Sequence, residues 1–208
     1  MNAGTPTVYI VDDDPAVRDS FALLLRLQGF SARVFASGEE FLAGYSPDWA
    51  GCLVLDLRMP GMSGLALQSA MVDRGIKLPV VVVTAHGDVA AARAMLRAGA
   101  LDFLEKPLDD NQLVAAIRAA LQRDAEDRKH ALAVAQAKQR MERLTPRERE
   151  VLDLVVAGRH NREIAAELGI SSRTVEVYKA RLIEKLRVDR LPDLIRLVLT
   201  VQSGDSRR

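Results

Sequence analysis

Four carboxylates and one ammonium are spaced as if they served one site. Asp12, Asp13 and Asp14 stand in a row before Pro15, and Asp56 follows the apolar run Cys52-Leu53-Val54-Leu55. Acids gathered at one point repel unless a cation sits among them. Their hard oxygens suit Mg²⁺, which keeps several waters and takes one or two carboxylates. Thr84 closes the run Val80-Val81-Val82-Val83 and offers a hydroxyl, while Lys106, before Pro107, offers a compact positive charge. A carboxylate, a divalent cation, a hydroxyl and an ammonium together neutralise a phosphoryl group in transfer and hold it afterwards.

Those residues must be brought together by the elements that carry them. The first 122 residues alternate short β-branched runs with helical patterns. Strands are predicted at 7–11, 32–35, 52–55, 80–83 and 101–104. Helices are predicted at 16–28, with apolar Val17, Leu24, Leu25 and Leu27, at 39–45, 64–73 and 89–97, and from Asn111 onward. Strands that are almost wholly apolar are covered on both faces, as in parallel sheets. Five such repeats predict a doubly wound α/β fold with a five-stranded parallel sheet of the flavodoxin-like kind. Its functional crevice lies at the carboxyl ends of the strands, where Asp12, Asp13, Asp56, Thr84 and Lys106 all fall.

The same residues, with Ile10-Val11-Asp12-Asp13-Asp14, Asp56-Leu57-Arg58-Met59-Pro60-Gly61-Met62-Ser63-Gly64 and Phe103-Leu104-Glu105-Lys106-Pro107, resemble the receiver domain of two-component response regulators, in particular the FixJ-like branch of the NarL/FixJ family. The resemblance covers residues 7–122. It implies that Asp56 is the phosphoacceptor and that Asp13, Asp12 (through water), Asp56 and the backbone carbonyl of Arg58 hold Mg²⁺. It further implies that Lys106 and Thr84 contact the phosphoryl group and that Phe103 turns inward as Thr84 moves. A cis Lys106-Pro107 bond is expected, and Asp14 is expected to face solvent in part. His86, two residues after Thr84, is either a tuner of phosphate lifetime or a surface histidine. A sensor histidine kinase is the implied donor.

From Asn111 to Arg143 the chain has neither Gly nor Pro. Leu113, Ile117 and Leu121 recur at a spacing of four and predict a helix packed on the sheet. Beyond them residues 123–143 read as a helical linker. Its thin apolar seam of Leu132, Val134, Ala135 and Met141 fits either a solvated spacer or pairing with a second copy.

Residues 144–208 predict an all-α unit of four helices. Thr145-Pro146-Arg147-Glu148 joins an N-cap, a proline at the first helical position and an acid at the third. Further helices are expected at 162–168, 173–186 (capped by Ser171 or Ser172) and 193–201, with Gly169 in the tight turn between the first two. The third carries Arg173, Lys179, Arg181, Lys185 and Arg187 against Glu176 and Glu184, and a buried stripe of Val175, Leu182, Ile183 and Leu186. Leu144–Leu152, Asn161–Ala165 and Ser172–Tyr178 resemble the LuxR-type helix-turn-helix. That resemblance implies double-stranded promoter DNA as partner, with Arg173, Thr174, Val177, Lys179 and Arg181 as contacts. The last helix has apolar surface enough to complete the core or to form a dimer contact.

Charge follows this division. Residues 1–122 carry 10 Lys/Arg against 14 Asp/Glu, a net −4, whereas residues 144–208 carry 13 against 10, a net +3. An acidic front suits a metal and a basic back suits phosphate. One cysteine, Cys52, excludes an internal disulfide, and with no signal peptide it points to the cytoplasm. No apolar run nears the roughly 18 residues of a membrane span. The expected function is therefore a phosphorylation-dependent transcriptional regulator, dimeric when phosphorylated, with RNA polymerase as a possible further partner. Two alternatives are a receiver that only dimerises and an aspartyl-phosphate phosphatase. The second is disfavoured because Arg58 stands where such phosphatases place a second acid.

Overall fold

Alternation along five short strands sorts their side chains onto two opposite faces. In the computed structural model, which describes residues 6–85 and 89–205, β1 (Thr7–Val11), β2 (Ser31–Phe35), β3 (Gly51–Leu55), β4 (Val80–Thr84) and β5 (Asp102–Glu105) form one parallel sheet in the order β2-β1-β3-β4-β5. Tyr9, Val11, Leu53, Leu55, Val80 and Val82 face one layer. There they meet Phe41 of α2 (Gly38–Gly44), Leu67 and Met71 of α3 (Gly64–Asp73) and Met95 of α4 (Val89–Arg97). Val8, Ile10, Cys52, Val54, Val81 and Val83 face the other. Their partners are Leu25 of α1 (Pro15–Leu27) and Leu113, Ile117 and Ala120 of α5 (Asp110–Glu142). This two-sided burial is why β3 and β4 are apolar throughout. The helix registers came out less cleanly. Leu25 alone of the expected α1 stripe is fully buried, while Leu27 is 77% exposed, because the helix shows the sheet a narrower face than its composition suggests.

Helix α5 runs unbroken through the helix expected to pack on the sheet and on into the expected linker. The chain divides into two compact units, Met1–Arg128 and Lys129–Arg208. The first reaches six residues past the expected 122 because Asp124 is drawn into it. The Asp124 carboxylate is buried and accepts the Gly51 backbone N–H at 2.8 Å. Arg128 pairs with Asp124 at 2.8 Å and also donates to the Trp49 carbonyl. Leu132 in the expected seam is 60% exposed.

Cys52 lies wholly inside this layer. Burial, with the Asp124 charge adding to it, pushes its thiol up to about 12. The native chain is therefore expected to resist a disulfide-exchange reagent at about pH 8, where a free cysteine is partly ionised, and to react fully once denatured. Prompt labelling of the folded protein would contradict this.

The second unit packs α6 (Pro146–Val156), α7 (Asn161–Leu168), α8 (Ser172–Leu186) and α9 (Leu191–Asp205) around Val151, Leu152, Ile164, Val175, Leu182, Leu194 and Val198. Helix α9 runs past the expected end at 201 as far as Asp205, and residues 206–208, like His86, lie outside the described residues. No helix of the described residues is long and apolar enough to cross a membrane.

Candidate functional site

The carboxyl ends of β1, β3 and β4 place Asp12, Asp56 and Thr84 side by side, all buried. Register explains it: Val11 pairs with Leu55, so the residues that follow, Asp12 and Asp56, leave adjacent strands at the same level. Lys106 arrives from β5 and is fixed by its backbone N–H, which donates to the Thr84 carbonyl at 2.8 Å. Its Nζ lies 2.8 Å from Asp12 Oδ2 and 3.4 Å from Asp56 Oδ1. One ammonium thus bridges two carboxylates, and its Nζ also lies 5.8 Å from the centre of the Phe21 ring. The Lys106-Pro107 bond is cis, as expected.

The remaining oxygens are also held. Asp12 Oδ1 accepts the Asp14 N–H at 2.9 Å, and Asp56 Oδ2 accepts the Arg58 N–H at 2.7 Å. The Arg18 guanidinium donates to the Asp12 carbonyl at 2.7 Å. Burial raises the Asp56 pKa above the ordinary carboxylate value, with Asp12 adding to the rise. The Arg58 N–H and Lys106 oppose it without cancelling it. Asp56 is thus a carboxylate whose negative charge is under-compensated.

The other expected members stand as follows. Asp13 is exposed, and Asp14 is exposed and serves as the N-cap of α1, accepting the Ala16 N–H at 2.8 Å. Phe103 is half-buried against the layer that holds Met95. Among the described residues no three His, Cys, Asp or Glu side chains gather at one point. The chemistry of the donor set still suits Mg²⁺, because that ion takes only one or two carboxylates and completes its shell with water. Asp12 and Asp56 bring two carboxylates together there while sharing a single ammonium, which favours a further cation beside them. The backbone below is packed closely: a Cβ on Gly64 would lie 2.5 Å from the Asp56 carbonyl oxygen.

The second unit builds a different surface. Gly169 adopts a left-handed φ of 66° and ends α7 in a tight turn. Ser171 then caps α8, accepting the Thr174 N–H at 3.1 Å, with the two hydroxyls 2.8 Å apart. Val175, Leu182 and Leu186 are buried, while Ile183 is only half so. Arg173, Val177 and Arg181 are exposed on the other side, and Arg181 lies 6.0 Å from the Tyr178 ring centre. The +3 balance counted on this helix overstates its outward charge. Lys185 Nζ instead reaches Glu148 Oε2 at 2.7 Å, and Lys179 Nζ bonds Asn161 Oδ1 at 2.5 Å. Arg187 is the left-handed residue that ends the helix. Periodicity showed which face was polar, but not which cations were already partnered.

Glu148 was legible as the acid of a capping box, and it is: its Oε2 accepts the Thr145 N–H at 2.8 Å. Its burial, to 3% exposure, and its ion pair with Lys185 were not. Burial alone would raise its pKa, yet Lys185 and the two Thr145 hydrogen bonds outweigh it and hold the carboxyl below the ordinary value. A lowered folded value gives stability that is present above the ordinary glutamate pKa and lost as pH falls through the lowered one. The melting point of this unit is therefore expected to drop on the acid side of about pH 4.3, and a Glu148→Gln variant is expected to show a flatter acid limb. Parallel curves for the two proteins would rule this out. Helix α9 spends most of its apolar face at home: Leu194, Val198 and Val201 are buried, and Leu199 is half exposed.

Comparison with known proteins matches both units. Residues 8–118 match the response regulator receiver domain, and residues 142–198 match the bacterial regulatory proteins of the LuxR family. The transcriptional regulatory protein FixJ of Azorhizobium caulinodans is 45% identical over 92% of this chain and 91% of its own length. The response regulator protein TodT of Pseudomonas putida is 38% identical over 95% of this chain and 87% of its own. The solved structure of the response regulator StyR superposes with a TM-score of 0.79 at 43% identity, covering 94% of this chain and 98% of that one.

Proposed function

Because the chain belongs to the response regulators that join a receiver domain to a LuxR-type DNA-binding domain, we propose that phosphorylation of Asp56 controls how residues 144–208 bind promoter DNA. The observation that carries this reading is the single Lys106 ammonium shared by Asp12 and Asp56 at the strand ends. A sensor histidine kinase is the donor. An Asp56 oxygen attacks the phosphorus of its phosphohistidine, the N–P bond breaks, the imidazole takes back a proton, and an acyl phosphate remains.

Asp56 is suited to be the attacker. Its charge is under-compensated, and its two oxygens are fixed by the Arg58 N–H and Lys106. Lys106 moves its hydrogen bond from the free carboxylate to the phosphoryl oxygens. The Thr84 hydroxyl donates to the same group, and Phe103, half-buried, follows it inward and alters the surface of β5. Asp13, Asp56 and the Arg58 carbonyl would hold Mg²⁺, with Asp12 acting through water, and the ion when bound would neutralise charge on the transferring oxygens.

On the output side α8 enters the major groove. Arg173 and Arg181 reach from the exposed face, Val177 supplies apolar contact, and Thr174 contacts the backbone beside the helix start. Lys179 must first leave Asn161, or else act through it. The phosphorylated protein acts as a homodimer on two half-sites in the cytoplasm, with RNA polymerase as a further partner. The test is DNA affinity and oligomeric state before and after acetyl phosphate with Mg²⁺. Tighter binding and a shift to dimer are expected; equal affinity in both states favours the receiver that only dimerises. Turnover of an external phosphate ester would favour the phosphatase.

A further inference from the structure

Gln68 is an amide in an apolar place. It lies on α3 between Leu67 and Met71, is 3% exposed, and its Oε1 meets no hydrogen-bond donor among the described residues. A buried, unsatisfied amide oxygen costs about 1–3 kcal/mol. Leu or Met at this position would avoid that cost, so the amide calls for a partner that the described residues do not supply.

Gln68 also lines a cavity of about 420 Å³ at the end of the sheet away from Asp56. A water takes up roughly 30 Å³ in the liquid, so this space exceeds what one solvent molecule would fill. Met71, Ile76 and Leu78 give it an apolar wall. Its mouth is polar and carries a net positive charge: Lys77 and Arg123 stand against Asp127, which pairs with Arg123 at 2.9 Å. Ligand pockets have this make-up, mostly apolar with a few fixed polar groups.

We propose that this cavity binds a small amphipathic monoanion, with a compact apolar body, an N–H or O–H that donates to the Gln68 amide, and one carboxylate facing Lys77. Val80 lines the cavity and opens β4, whereas Thr84 ends the same strand, so the cavity and the Asp56 site lie at opposite ends of β4.

N-acetyl-L-leucine has all three features and serves as the probe. Titrating it into the full ¹⁵N-labelled chain to about 10 mM, enough to detect millimolar binding, is expected to give saturable shifts in the amide signals of residues 76–78 and 98–101. Gln68→Leu is expected to weaken binding about tenfold or more and to melt no earlier than the parent, with Trp49 emission as the readout. Lys77→Gln and the methyl ester of the probe are each expected to bind more weakly. No shifts, shifts undiminished in Gln68→Leu, or an earlier melt of that variant would each overturn the proposal. The last outcome would mean that the amide is already satisfied, by ordered water alone.

Discussion

Asp56→Asn is expected to take up no phosphoryl group from acetyl phosphate, while the parent gains the mass of one phosphoryl group. The amide keeps the acceptor for the Arg58 N–H but lacks a nucleophilic oxygen, so no acyl phosphate forms. The same change is expected to stabilise the first unit at neutral pH. The raised pKa of Asp56 means that its ionised form is disfavoured by folding. Such a group contributes stability that is complete below the ordinary aspartate pKa and lost as pH rises through the raised value. At neutral pH the parent bears that cost and the Asn variant does not. Because Trp49 is the only tryptophan and lies in this unit, its emission reports the melt directly. The variant should therefore melt higher while failing to label. Persistent labelling would move the acceptor to another residue, and a lower melting point would show that the Lys106 bridge to Asp56 matters more than its desolvation.

Gly51→Ala is expected to be the most damaging single change to the sheet. Gly51 opens β3 with φ at +137°, where side chains are strained, and an added Cβ would lie 1.8 Å from the Thr7 carbonyl oxygen. Thr7 is also the residue paired with Gly51 across β1 and β3. The clash is therefore with backbone in the central pair of strands, and no side-chain rotation relieves it. Strain of about 1–3 kcal/mol for the backbone angle alone adds to the lost pairing, and the loosened Gly51 N–H would leave Asp124 with one donor fewer. A small domain has only about 5–15 kcal/mol in hand. The expected result is loss of the cooperative Trp49 transition, or a fall in its midpoint of at least about 10 °C. A midpoint within a few degrees of the parent would show that the β1–β3 junction relaxes more easily than its geometry suggests.

Much of the site around Asp56 was legible because it is made of strand ends. Once Ile10-Val11 and Val54-Leu55 are read as neighbouring parallel strands, the acids that follow them must share a crevice, and Thr84 and Lys106 join by the same reasoning. Asp124 was not legible. It sits in a polar helical stretch where every neighbour is solvated, and only the approach of Gly51 makes it a buried acceptor. Lys179 and Lys185 show the same gap from the opposite side. Helical spacing put them on a basic face, whereas Asn161 and Glu148, 18 and 37 residues away, decide where their ammonium groups go.

By itself the sequence determined what depends on local period and on type: five apolar strands, the helices between them, the caps at Thr145 and Ser171, and the identity of the groups at the strand ends. Tertiary structure alone decided which charges are buried, which are partnered, and which are left for a ligand. It placed Asp12 rather than Asp13 against Lys106, drew Asp124 into the sheet's edge beside Gly51, and left the Gln68 oxygen without a donor among the described residues. The physical reason is that periodicity is a property of neighbours along the chain, whereas desolvation and ion pairing depend on atoms that folding brings from elsewhere.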